Sequence, residues 1–419
     1  MGKDINNYPL IDGTINLQEN LKTIKELEDE TNIKMSEEDL LSVSKLNKNK
    51  NIHDTIMAKV LYNQPGAFFI DGPGGTGKTS LYTALLATLR SQHFIALASA
   101  TSGIAASNML VARTCHSRFK LPLDIDNTTT CDISKQSNTA KLLKAAKLII
   151  WDEASMAKRQ AIEAVDKMLK DIVETDLPFG GKVIVFGGDF RQVLLVVPKK
   201  RREEQIDASL VRCKIWPTLQ KIKLCENMRA KSDPQFCEFL LRIGNGTEPQ
   251  TINDIVKLPP SMIVLYIDET TSLNTLIKSV FVDLNMAAIN PNAITKLAIL
   301  TPKKQSVDDI NKILIDKFPG NAIIYHSFDK TIDLIAQEHH EDFLNSLTLN
   351  GLPPQTLVLK PNCPVILLRN IDPSKGLCNG TRLICRRLDK IVIDAEIVVG
   401  YHRGKRVFIP KDSFTTFQK

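Results

Sequence analysis

No apolar run in the 419-residue chain reaches the roughly 18–20 residues needed to cross a membrane, so a membrane-spanning protein is not expected. The opening MGKDINNYPL lacks the basic-then-apolar order of a secretion signal and has no arginine, which argues against export and organelle import. Asn6 stands where N-myristoylation wants Ser or Thr. None of the eight cysteines (Cys115, Cys131, Cys213, Cys225, Cys237, Cys363, Cys378, Cys385) sits in a C-x-x-C pair, so zinc is not expected and free thiols in an intracellular protein are. Internal repeats and low-complexity tracts are also missing.

What remains is an ordinary folded composition, 43% hydrophobic and 24% charged. The length suits two domains. The net charge of +7 is unevenly spread: residues 1–45 carry five Lys against ten acids, which leaves +12 on the rest. A basic body of that kind suits a polyanionic partner. The run Lys199-Lys200-Arg201-Arg202 reads either as a solvated basic loop or as a nuclear import signal.

Residues 1–45 read as an acidic leader with one helix near Leu21–Glu30 and no core of its own. From Ile56 onward, short runs apolar on both faces alternate with helical spacing. The strands are AFFI (67–70), FIALAS (94–99), LIIW (148–151) and VIVFGG (183–188); helices are expected over Lys78–Arg90, Ile104–Met109 and Lys158–Val173. Buried strands alternating with helices argue for a parallel sheet covered on two sides, a RecA-like or other doubly wound α/β core over roughly 46–245. Past Gly244-Asn245-Gly246 the texture changes. KLAILTP (296–302) reads as one more buried strand with a helix after it (Asp308–Lys317), and 358–370 and 382–410 read as β-hairpins with period-two alternation. Residues 246–419 are therefore expected to form a second, partial domain.

Gly72-Pro73-Gly74-Gly75-Thr76-Gly77-Lys78-Thr79-Ser80 follows the first strand and opens a helix, the context a phosphate-binding loop requires. Glycines let successive N–H groups turn inward, and the helix brings its positive dipole end to the same point. Lys78 would then reach the β- and γ-phosphates of ATP, and the Thr79 hydroxyl would ligate Mg²⁺. Asp152 and Glu153 end the apolar run KLIIW at the carboxyl end of a strand, where open α/β sheets bind ligands. Asp152 is the candidate second metal ligand and Glu153 the candidate general base for the attacking water. Gln192, just past the tip of VIVFGG, is a candidate sensor of the γ-phosphate.

GPGGTGKT, SATSGIAA, TCHSRFKLP, WDEASM, GGDFRQV and ENMR occur in that order from about Leu46 onward. Together they resemble the Pif-one family of superfamily-one DNA helicases, in particular the helicase module of plant-type Helitron transposons. The resemblance implies a RecA-like P-loop ATPase domain followed by an incomplete second RecA-like domain carrying β-hairpin insertions. It implies Mg²⁺-ATP hydrolysis coupled to 5′-to-3′ travel along single-stranded DNA and opening of duplex junctions, with roles in repair, recombination, telomere maintenance or transposon mobilisation, and nuclear placement. It assigns Thr101 and Ser102 to DNA phosphates, His116 and Phe119 to the path of the strand, and Arg229 to the γ-phosphate across the cleft; LCNGTRLI (377–384) is taken as structural.

Two departures from the family pattern stand out. Lys50 occupies the position of an adenine-reading glutamine, and an ammonium can only donate where an amide also accepts. The chain also ends at Lys419 without the family's later T-x-x-K-S-Q-G-like and A-L-S-R segments. A truncated helicase is expected, the alternative being a module that binds nucleotide and single-stranded DNA without unwinding.

Overall fold

The computed structural model describes residues 28, 30–46, 49–192, 195, 197, 200–249, 255–326, 355–372 and 375–410. The chain divides into two compact units, Met1–Glu248 and Pro249–Lys419.

The first unit is built on six strands: β1 (Gly66–Asp71), β2 (Ala96–Ala100), β3 (Arg113–Thr114), β4 (Leu148–Asp152), β5 (Val183–Gly188) and β6 (Gln220–Lys223). Their order is β3-β2-β4-β5-β1-β6, and every pairing is parallel. Strands β2, β4 and β5 are buried along their whole length, as continuous apolar runs in a two-sided sheet must be. The helices of the unit are α1 (Glu37–Leu40), α2 (Lys50–Leu61), α3 (Lys78–Arg90), α4 (Gly103–Ser107), α5 (Cys115–Phe119), α6 (Asn138–Ala145), α7 (Arg159–Val173), α8 (Arg202–Asp207) and α9 (Pro234–Asn245), and the larger of them cover both faces of the sheet. Two apolar clusters result. One packs α2 and α3 under Phe68, Ile70 and Ile150; the other packs α6 and α7 over Ile149, Trp151 and Ile184. Opposite faces of the same strands feed opposite cores.

The acidic leader is not independent at its described end. Residues 28, 30 and 31 are helical, while 21–27 and 29 of the expected helix lie outside the described residues. Glu30 is 3% exposed and meets Arg118 at 2.9 Å and Arg90 at 3.8 Å, all three side chains buried in the first unit.

In the second unit, α10 (Glu269–Val280), α11 (Leu284–Ile289), α12 (Pro291–Ile294) and α13 (Lys304–Lys317) precede β7 (Ile323–His326) and β8 (Thr356–Leu359), which pair antiparallel. The hairpins expected over 382–410 form through β10 (Arg382–Leu388), β11 (Val392–Ile397) and β12 (Arg406–Pro410), and β9 (Pro364–Ile366) joins them in an antiparallel sheet of order β12-β11-β10-β9; the hairpin expected over 358–370 does not form, because β8 pairs with β7 and β9 with β10. All strand pairings among the described residues of this unit are antiparallel. The strand expected at 296–302 is absent; that stretch is turn and irregular chain, with Leu300 91% exposed. A short apolar run becomes a buried strand only where a neighbouring strand takes its backbone groups, and among the described residues none pairs with this one.

Candidate nucleotide site

The phosphate loop leaves the sheet at Asp71 and enters α3 at Lys78. Gly75 (φ +92°) and Gly77 (φ +87°) hold left-handed conformations that a side chain would strain. Space forbids substitution at Gly75 too, since a Cβ there would lie 2.5 Å from Asn227 Oδ1 and 2.7 Å from Arg229 Cβ. Inside the loop, Thr76 Oγ1 donates to the Pro73 carbonyl at 2.8 Å, and the buried Lys78 ammonium donates to the Gly72 carbonyl. Thr79 and Ser80 are exposed on the first turn of α3.

Asp152 and Glu153 sit two strands away at the tip of β4, with β5 between. Gly187 of β5 lets them approach the loop helix: a Cβ at 187 would lie 1.6 Å from Tyr82 Oη of α3 and 3.0 Å from Asp152 Oδ1. The tyrosine hydroxyl and the carboxylate oxygen crowd one point without reaching good hydrogen-bond geometry, yet the hydroxyl and the Glu153 N–H both lie near enough to steady the Asp152 carboxylate. Glu153 Oε2 is a second buried oxygen without a partner. Burial holds both carboxyls above their ordinary pKa, and Asp152 pushes Glu153 further up, while the Lys78 ammonium draws each partway back. Glu153 adopts φ +53°, which turns its side chain out of the strand direction. Two under-satisfied carboxylates within the field of a loop lysine are what a divalent cation and a polarised water would complete.

Two further segments close on the loop. Asn227 donates to the Gly74 carbonyl at 3.1 Å and accepts from the Arg229 and Ala230 amides, and Met228 N–H donates to the Gly75 carbonyl at 2.8 Å. Arg229 is thereby laid over the loop by its own unit; a Cβ at Gly74 would lie 4.0 Å from its Nη1. Asn49, beside the exposed Lys50, donates to the Thr76 carbonyl at 3.5 Å. Past β5, Gln192 is exposed in a turn whose N–H donates to the Asp189 carbonyl at 3.2 Å. Sequence reasoning missed Asn227, Tyr82 and Arg191. The first lies inside the quoted ENMR, but nothing local says which loop its amide will reach.

The residues assigned to DNA fare unequally. Thr101 is a strut: its Oγ1 donates to the Glu153 carbonyl at 2.8 Å and accepts from Trp151 Nε1 at 3.0 Å. Ser102 caps α4 by accepting from the Ala105 amide at 3.2 Å. Phe119 must be corrected. It is fully buried and stacks on Trp151 with centroids 5.4 Å apart, so it is a core residue with no face for a base. His116 is half-buried, which lowers its pKa, at the rim of a cavity of about 700 Å³ that Asp124, Asp126, Asp132 and Lys120 also line. Three carboxylates there disfavour a phosphate backbone.

A model of the PIF1-like helicase family matches residues 45–254, just over half of the chain. The chain belongs to that family. The model of the DNA helicase Pif1 2B domain matches 342–388, which takes in β8, β9 and β10 and begins outside the described residues. The ATP-dependent DNA helicase PIF1 of Candida albicans is 25% identical over 326 residues, 75% of this chain and 32% of the relative. The ATP-dependent DNA helicase Pif1 of Bdellovibrio bacteriovorus is 25% identical over 352 residues, 83% and 68% of the two chains. The chain thus spans about a third of the length of the first curated relatives it matches. Among solved structures, Pif1 helicase from Bacteroides in complex with ADP-AlF3 and ssDNA superposes with a TM-score of 0.55 at 21% identity, over 85% of this chain and 73% of that one. The complex described as two coordinating Pif1 helicases at forked dsDNA gives 0.55 at 20%, over 92% and 78%. At that identity the likeness establishes the RecA-like α/β fold.

Proposed function

We propose that this chain is the motor of an ATP-dependent DNA helicase that hydrolyses Mg²⁺-ATP, moves 5′-to-3′ along single-stranded DNA and opens duplex junctions. The observation that carries it is the pair of under-satisfied carboxylates, Asp152 and Glu153, at a strand tip beside the phosphate loop and within the field of Lys78. Family membership and the PIF1 names of the relatives point the same way.

Each residue has a chemical task. Backbone N–H groups of 74–78 and the α3 dipole would hold the β-phosphate. Lys78 would exchange its bond to the Gly72 carbonyl for phosphate oxygens. Thr79 and Asp152 would hold Mg²⁺, whose charge offsets that of the phosphates when it is bound. Glu153, its pKa raised by burial and by Asp152, would accept a proton from water more readily than an ordinary glutamate. Arg229 would meet charge developing on the transferred phosphoryl group from the loop side, and Gln192 would register the γ-phosphate. Thr101, joining the tips of β2 and β4, would carry strain between a DNA-facing turn and Glu153. Nuclear placement and roles in repair, recombination, telomere maintenance or transposon mobilisation belong to the same reading.

The test is DNA-stimulated ATP hydrolysis by the 419-residue chain and by Lys78→Ala. Stimulated turnover in the first and background in the second supports the reading; equal rates defeat it.

A further inference from the structure

We propose that Tyr82 is a positioning residue whose hydroxyl sets the Asp152 carboxylate at the metal position, so that α3 supplies one metal ligand, Thr79, and orients the other. The inference rests on the motor reading above. Tyr82 stands one turn after Thr79 on α3, and its ring is wholly buried in the apolar cluster that holds Leu81, Leu85, Ile150 and Val185. Close packing around the ring fixes where its hydroxyl can stand. That place is the tip of the sheet. A Cβ at Gly187 would lie 1.6 Å from Tyr82 Oη and 3.0 Å from Asp152 Oδ1, so the two oxygens converge over one residue of β5. Both atoms are buried, and among the described residues no other group bonds either of them. A buried hydroxyl without a partner is a cost that a phenylalanine ring would not carry. The group that can offset it here is the carboxylate, an acceptor beside a donor.

The main chain of Asp152 is already held: its carbonyl accepts from the Thr101 N–H at 3.0 Å, which ties the tip of β4 to that of β2. What remains to be set is the rotation of the carboxylate. A bond from the tyrosine hydroxyl to Oδ1 sets it and leaves Oδ2 for the cation. A metal ligand steadied in this way by a second polar group is oriented before the ion arrives, and loss of such a group typically costs 10–100-fold in metal affinity. Gly187 belongs to the same device, since any side chain there would displace the hydroxyl. Lys78, Thr79 and Tyr82 all lie within the first five residues of α3, so the phosphate-facing lysine, the hydroxyl ligand and the group that aims the carboxylate move as one rigid piece.

Tyr82→Phe removes one oxygen and keeps the ring. A fluorescent non-hydrolysable ATP analogue is titrated onto the 419-residue chain and onto the variant in EDTA, then across a range of Mg²⁺ concentrations. The series is repeated with Mn²⁺, whose free ion is counted by its paramagnetic resonance signal. Tyr82→Phe is expected to bind the analogue as wild type does in EDTA and to melt no lower, while the half-saturating concentration of both metals rises about tenfold. Wild-type metal dependence in the variant would overturn the inference, whether or not its melting temperature moves, because a hydroxyl that served stability alone would leave metal binding untouched. Equal weakening with and without metal would overturn it too. A second measurement avoids the substitution: 3-fluorotyrosine placed at position 82 should show a fluorine NMR shift when Mg²⁺ joins the bound analogue, and a resonance indifferent to the metal would also sink the assignment. A wild-type chain whose affinity for the analogue ignores both metals would instead overturn the motor reading, and this inference with it.

Discussion

Phe119 separates a recognition role from a structural one by measurable amounts. Its ring is fully buried in the cluster that holds Trp151, Leu143 and Ile162, and it stacks on Trp151 at 5.4 Å with planes 28° apart. Phe119→Ala would remove the transfer free energy of the ring and leave a cavity between α5 and β4. Such truncations cost about 3–5 kcal/mol. In a unit of this size each kcal/mol lowers the melting temperature by about 2–4 °C, so a fall of roughly 6–20 °C is expected. Phe119→Leu fills most of the volume but forfeits the aromatic pair, for about 1–2 kcal/mol in all. Calorimetry on both variants, with oligo-dT affinity measured well below each transition, tests the reasoning. Folded variants should bind the oligonucleotide as the wild type does. A Phe119→Leu protein that melts like wild type yet binds single-stranded DNA several-fold more weakly would refute the burial argument and restore the ring to the strand's path.

Three other outcomes follow from the site. Burial raises the Asp152 pKa, so the folded state is penalised once pH exceeds the unfolded carboxylate value and carries the full penalty above the raised folded value; Asp152→Asn should therefore abolish ATP turnover, yet melt above wild type at neutral pH by a margin that shrinks on acidification, in thermal scans across pH. Gly75→Ala places a methyl 2.5 Å from Asn227 Oδ1 at φ +92°, a strain of about 1–3 kcal/mol that should weaken nucleotide binding roughly tenfold in titration calorimetry while circular dichroism stays unchanged. Glu30→Ala deprives the buried guanidinium of Arg118 of its 2.9 Å carboxylate partner and should cost about 3 kcal/mol by denaturant unfolding, although Glu30 lies far from the phosphate loop in sequence.

The chain's own order of residues settled a good deal. The glycine spacing of 72–77 with Lys78 and Thr79 after it, the apolar runs of β1, β2, β4 and β5, and the carboxylates ending KLIIW are local patterns, and local patterns dictate local backbone and strand-end chemistry. Burial and partnership are long-range quantities, and only packing assigned them. Phe119 became core because Trp151 of β4 lies under it, and Thr101 became a strut because Glu153 presents a carbonyl to it. The apolar run at 296–302 stayed irregular with no strand beside it among the described residues, and Arg191 gained its bonds to Asp71 and Asn245, residues distant along the chain, only because the sheet and α9 bring them to one side chain.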